Sequence, residues 1–179
     1  MNKKRALMIS SALVQDHEFI YPYYRLLEDN FSIEVCLLEG KPVNGYFGLP
    51  IPPNKDQKII SPENLNVSNY NLLVLPGGVK SMEKVRLNKN IIQFIKDFNS
   101  DKNTIACICS AAQLLISAKI VKGRKISGYY SMKDDIINAG AIYEDKPAVV
   151  DKNIVTTAHY KDLGPWMKEV LNVFNKINL

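Results

Sequence analysis

Cys109 follows the β-branched run Thr104-Ile105-Ala106-Cys107-Ile108 and is itself followed by small residues and a helical pattern. Apolar residues at 111, 114, 115 and 118 repeat as i, i+3, i+4, i+7, one face of a helix. A nucleophile at such a strand-to-helix turn projects from the sheet edge. There it meets backbone N–H groups at the helix start, which favour a thiolate and an oxyanion. The alternative is a buried structural cysteine, a small hydrophobe like most free Cys. A second address is Pro76-Gly77-Gly78, closing the apolar run Asn71-Leu72-Leu73-Val74-Leu75. With no side chains in the way, the Gly77 and Gly78 amides can turn toward a bound group, although a tight turn needs the same residues.

These two addresses require strands to carry them. Arg5–Ser10 and Ile33–Leu38 read as buried strands, and Phe19–Glu28 as a helix with Ile20, Tyr23, Tyr24 and Leu27 on one face. Residues 39–64 are rich in Gly, Pro, Asn and Lys and predict a long excursion with a hairpin near Gly45, of the kind that edges a site or an interface. Ile91, Phe94, Ile95 and Phe98 mark another helix face. Ser131–Ala139 predicts a short helix begun by Ser131 and closed by Gly140. Ala148–Val150 and Asn153–Thr157 predict paired strands, and Pro165–Lys176 a last helix burying Met167, Val170, Leu171 and Phe174. The alternation implies an α/β fold, a three-layer α/β/α sandwich on a mostly parallel central sheet. In such sheets ligands bind at the carboxyl ends of the strands, where both Gly77-Gly78 and Cys109 lie.

The chain of 179 residues, 46% hydrophobic and 23% charged, fits one globular domain over 1–179. A formal charge of +5 is spread among acidic residues, and Lys3-Lys4-Arg5 is too short a cluster to bind a phosphate backbone, so no nucleic acid is expected. No apolar run reaches the ~18 residues of a membrane span, and no signal-peptide pattern opens the chain, so a cytoplasmic protein without membrane association is expected. Cys36, Cys107 and Cys109 are an odd set for a disulfide framework. With only His17 and His159 besides, they match no zinc spacing, and neither metal nor cofactor is expected. The aromatic residues Tyr21, Tyr23, Tyr24, Tyr46 and Phe47 are divided between core and interface, with core expected for about half.

Glu18-Phe19-Ile20-Tyr21-Pro22, Leu73–Gly78, Val85-Arg86-Leu87, Ile108-Cys109, Gln113–Ala118, Val121–Lys125 and Lys133–Ala141, in this order, resemble the ThiJ/PfpI superfamily. The likeness is closest to its PfpI-like intracellular protease and deglycase branch. The resemblance implies a flavodoxin-like fold, related to class I glutamine amidotransferases, with a nucleophile elbow after a central strand. It implies that Cys109 is the nucleophile and Glu18 a neutral carboxyl, kept so by partial burial, that hydrogen-bonds the thiolate. It also implies an oxyanion hole from the Gly78 and Ser110 amides beside Gly77, and Tyr129 in the pocket wall. PfpI-like proteins carry Cys-His-Gly-Pro at the elbow, whereas this chain reads Cys109-Ser110-Ala111-Ala112. Glu83 resembles the acid that a neighbouring subunit offers to that histidine, one residue out of step after Gly78. Gln15 stands where relatives often have a carboxylate. His159, in Thr157-Ala158-His159-Tyr160, is the candidate replacement base or ion-pair partner for Cys109.

The expected activity is therefore a cysteine-dependent enzyme on small carbonyl or acyl electrophiles, glyoxalase- or deglycase-like, or a PfpI-like hydrolase of peptides. Amide cleavage fits less well without a histidine beside the nucleophile to protonate the leaving amine. Two alternatives stand beside it: a redox or stress sensor through reversible oxidation of Cys109, and isocyanide hydratase-like activity. Relatives are homodimers or dimer-built hexamers, so the resemblance implies a homo-oligomer.

Overall fold

Ala6–Ile9, Leu72–Leu75 and Ile105–Ile108 are buried throughout, as strands covered by helices on both faces must be. A computed structural model describes residues 4–178; Lys3 and both chain ends of the expected domain lie outside them. Seven strands form the main sheet: β1 (Arg5–Ser10), β2 (Ser32–Leu37), β5 (Ile59–Ile60), β6 (Leu72–Leu75), β7 (Thr104–Ile108), β10 (Val149–Asp151) and β11 (Ile154–Thr157). Their order is β10-β11-β7-β6-β1-β2-β5, and all are parallel except β10, which pairs antiparallel with β11.

The period of two along each strand divides the core. Leu7, Ile9, Leu73, Leu75, Ile105 and Cys107 face helices α2 (Val79–Val85), α3 (Lys89–Ser100), α4 (Ala112–Ser117) and α5 (Lys133–Asn138). Ala6, Met8, Leu72, Val74, Ala106 and Ile108 face α1 (Asp16–Glu28) and α6 (Leu163–Asn178). The three layers and the mostly parallel sheet are those the element order predicts. Among the described residues no helix is long and apolar enough to cross a membrane.

The first helix differs from its expected face. Phe19, Pro22, Tyr23 and Leu26 are buried, whereas Tyr24 is 50% and Leu27 42% exposed. Both faces satisfy helical spacing. The choice is made by polar anchors at the helix start, where Asp16 and Glu18 are themselves buried and fix the rotation. Of the five aromatics set between core and interface, only Tyr23 is buried. Ser131 does not cap a helix but lies in a 3-10 turn, Tyr130–Met132, that leads into α5. Helix α2 and a small parallel pair, β8 (Lys125–Ile126) with β9 (Ile142–Tyr143), are too short for a periodic signal.

The excursion contains the expected hairpin, β3 (Val43–Asn44) with β4 (Pro50–Ile51). Its loop hangs on α1: the Asp16 carboxylate accepts from Phe47 N at 2.7 Å and Leu49 N at 3.0 Å. Replacing Asp16 by Ala removes both acceptors and is expected to cost about 2–3 kcal/mol of stability. Amide exchange at Phe47 and Leu49 should accelerate more than in β6 or β7.

Candidate active site

The strand-to-helix turn is strained at the residue that carries the thiol. Cys109 has φ 62°, a left-handed conformation that costs a side-chain-bearing residue of order 1 kcal/mol or more and persists only where its surroundings enforce it. Ile108 before it is extended, and a 3-10 turn, Cys109–Ala111, leads into α4. The Cys109 carbonyl accepts from Tyr129 N at 3.1 Å, which ties the turn to the loop after β8. Its side chain is partly exposed, whereas Cys36 and Cys107 are buried.

Glu18 is fully buried on α1, a stronger burial than expected. Its Oε2 accepts from Gly77 N at 2.9 Å, and its Oε1 has no hydrogen-bond partner of ordinary geometry. Burial raises its pKa to about 7, against hydrogen bonding with the Cys109 thiol and with Gly77 N–H. Burial also pushes the Cys109 thiol up to about 12, and the Glu18 charge adds to the rise; the N–H groups of Ser110 and Gly78 act in the opposite sense. The two groups therefore titrate as a pair. With Glu18 ionised, a thiolate beside it is opposed. With Glu18 neutral, that repulsion is absent and the carboxyl becomes a donor.

Backbone at Gly77 and Gly78 makes this approach possible. A Cβ on Gly77 would fall 2.3 Å from Glu18 Oε2 and 2.6 Å from Cys109 Cβ. Gly78 has φ 99°, and a Cβ there would meet Gln15 N at 2.5 Å. Gln15 caps α1 through its side chain, accepting from His17 N at 2.8 Å, and its own N–H donates to Gly77 O at 3.3 Å. Helix start, glycine turn and elbow are thus one connected unit.

Above this unit opens a cavity of about 690 Å³. Glu18, Gly78, Glu83, Cys109, Ser110, Tyr129 and His159 all line it, while Gly77 lies behind the wall. The site residues read from the sequence are therefore brought together, but not all in contact. Glu83 is exposed on α2 and makes no hydrogen bond or ion pair among the described residues. His159 has no hydrogen bond to Cys109. Its Nδ1 accepts from Lys161 N at 3.1 Å, so in the neutral ring the proton is on Nε2. The ring lies 4.0 Å from that of Tyr160 and 6.2 Å from that of Tyr129. Ser110 is 4% exposed, and its Oγ is buried without a partner.

Sequence reasoning missed part of the wall. Leu13, Tyr46 and Phe47 close one side, the last two carried by the hairpin. Arg86 and Gln113 line the other. Gln113 had a readable signal: Ser110, Gln113 and Ser117 repeat at i, i+3, i+7, a polar stripe on an otherwise apolar helix. Among the described residues no group of three or more His, Cys, Asp or Glu side chains is arranged to hold a metal ion.

The sequence profile described as the DJ-1/PfpI family matches residues 4–173. Deglycase PfpI of Pyrococcus furiosus is 34% identical over 169 residues, which are 94% of this chain and 98% of that protein. Protein/nucleic acid deglycase 2 of Escherichia coli is 32% identical over 181 residues, covering 97% of this chain and 98% of that one. The crystal structure of Drosophila melanogaster DJ-1beta superposes with a TM-score of 0.82 at 24% identity, over 97% of this chain and 90% of that one, a likeness of fold.

The raised Glu18 pKa has a signed consequence for stability. An unfolded glutamate ionises near 4.5 and the folded one near 7, so the folded state holds the extra proton between them. The stabilisation is complete below pH 4.5 and is lost as pH rises through 7. Glu18→Gln mimics the neutral form. Its stability relative to the parent should grow from pH 5 to 8 by up to about 3 kcal/mol and change little from pH 8 to 9, as read by urea denaturation.

Proposed function

Because this chain belongs to the DJ-1/PfpI family, and because a buried carboxyl interacts with its strained elbow cysteine, we propose a cysteine-dependent enzyme on small carbonyl electrophiles, glyoxalase- or deglycase-like. The observation that carries this reading is the pairing of Glu18 with Cys109 across Gly77.

In the reaction, the Cys109 sulfur adds to an aldehyde carbon and forms a C–S bond while the carbonyl π electrons move to oxygen. The N–H groups of Gly78 and Ser110 hold that oxyanion. Glu18 takes the thiol proton and returns it to the oxygen, giving a neutral hemithioacetal. For methylglyoxal, proton transfer from the first carbon to the second through an enediol then gives a thioester. Water cleaves it to lactate and regenerates the thiol, with no external oxidant. For a glycated amine, a hemiaminal of the same aldehyde, the sulfur forms the C–S bond as the C–N bond breaks, Glu18 carries the thiol proton to the departing amine, and the resulting hemithioacetal follows the same path. Glu83, exposed on the rim, is the residue that a neighbouring copy of the chain would meet in the proposed homo-oligomer.

The test is methylglyoxal consumption and lactate formation by the purified protein. Cys109→Ser is expected to abolish turnover, and Glu18→Gln to lower kcat about 10²- to 10³-fold. His159→Ala should stay within about threefold and leave the pH profile of thiol alkylation in place, because the ring offers the thiol no acceptor. Parent rates equal to those of Cys109→Ser would reject the enzymatic reading and leave a redox-responsive thiol.

A further inference from the structure

The polar stripe on the elbow helix holds a cation against the cavity wall. Arg86, at the end of α2, donates from Nε to Ser117 Oγ at 2.8 Å and from Nη1 to Gln113 Oε1 at 3.4 Å. Both acceptors are neutral. Among the described residues no carboxylate lies within 4.0 Å of the guanidinium, although Glu83 is three residues earlier and Asp135 lines the same cavity. Nη2 makes no bond. Arg86 and Cys109 line the same cavity.

Arg86 is exposed, but its guanidinium is held by Ser117 and, at longer range, by Gln113, which orients the fork before a ligand arrives. Arg is the side chain whose parallel N–H groups match the two oxygens of a carboxylate, and prior fixing reduces the ordering cost on binding. Gln113, which holds Nη1, lines the same cavity as Cys109, so the fork borders the space in which a small molecule's carbonyl would meet the thiol. A neutral carbonyl oxygen can accept only a single, weaker hydrogen bond from these donors, without the charge and the paired oxygens of a carboxylate. We infer that Arg86 is a specificity-determining residue, receiving a carboxylate carried by the electrophile that Cys109 attacks. This assignment rests on the proposed reading of Cys109 as a reactive thiol. Within that reading it makes oxo compounds and adducts that bear a carboxylate the preferred substrates over neutral ones such as methylglyoxal. Glu83 and Asp135 offset the charges of Arg86 and Lys80 along the cavity wall, so the orientation of Arg86 rather than overall potential is the discriminating feature.

The experiment needs no turnover. Rates of Cys109 modification are measured with size-matched anionic and neutral probes: iodoacetate against iodoacetamide, and a bis(nitrobenzoate) disulfide against a neutral dipyridyl disulfide. In the alkylations the sulfur forms an S–C bond as iodide leaves, and the thiol proton passes to solvent. Arg86→Gln is expected to lower the anionic-to-neutral rate ratio about five- to tenfold in at least one pair, and Arg86→Lys to recover part of it. Lys84→Gln, which removes a cation of the same helix outside the cavity wall, should leave the ratio unchanged. Protection of the thiol from iodoacetamide by lactate, and not by inorganic phosphate, would identify the carboxylate as the favoured oxyanion. An unchanged ratio in Arg86→Gln, an equal fall in Lys84→Gln, or protection by phosphate alone overturns the inference while leaving the reactive thiol standing. A parent thiol inert to all four probes rejects that reading, and the inference with it.

Discussion

A carboxyl buried without a cation beside it is the constraint around which the site is built. Glu18 has a main-chain N–H on one oxygen and no positive side chain to offset its charge. Burying an isolated carboxylate is costly, and the group answers by holding its proton to higher pH. That makes it both a proton store and a source of strain on the thiol, since whichever partner ionises first discourages the other. Everything nearby serves to keep the two together: Gly77 with no side chain to separate them, Gly78 folded against the start of α1, and the Gln15 cap joined to the Gly77 carbonyl.

The sheet supplies the rigidity that this arrangement needs. Cys109 leaves β7 between two parallel neighbours, β6 and β11, and the glycine turn leaves β6 directly alongside. Two adjacent strand ends therefore present their connections to one point. The left-handed backbone at Cys109 is tolerated because the strand before it, buried on both faces of the sheet, and the helix after it, packed on one of them, are both held in the core. Strain at one residue is offset by burial distributed over many.

Much of this was legible in the residues. The continuous apolar runs of β1, β6 and β7, the helical spacing of α3 and α6, and the placing of Cys109 and Gly77-Gly78 at strand ends all follow from pattern alone. The face of α1 was not legible, because two apolar stripes compete on that helix and the decision falls to Asp16 and Glu18, whose burial no hydrophobic pattern records. The thiol environment was only half legible. Spacing locates the donors that favour a thiolate, but the degree of burial that opposes it is a tertiary property. His159 shows the same limit: the sequence brings it to the cavity, while its tautomer is set by the Lys161 amide two residues on.

The hairpin suspended from Asp16 gives the architecture a division of labour. Tyr46 and Phe47 shape one side of the cavity, yet their strands belong to a separate two-stranded sheet and take no place in the central seven. The scaffold that holds the reactive pair and the surface that meets the incoming molecule are therefore separable inheritances. Insertions or changes of residue between β3 and β4 could remodel molecular selectivity over evolutionary time while the chemistry beneath them stays as it is.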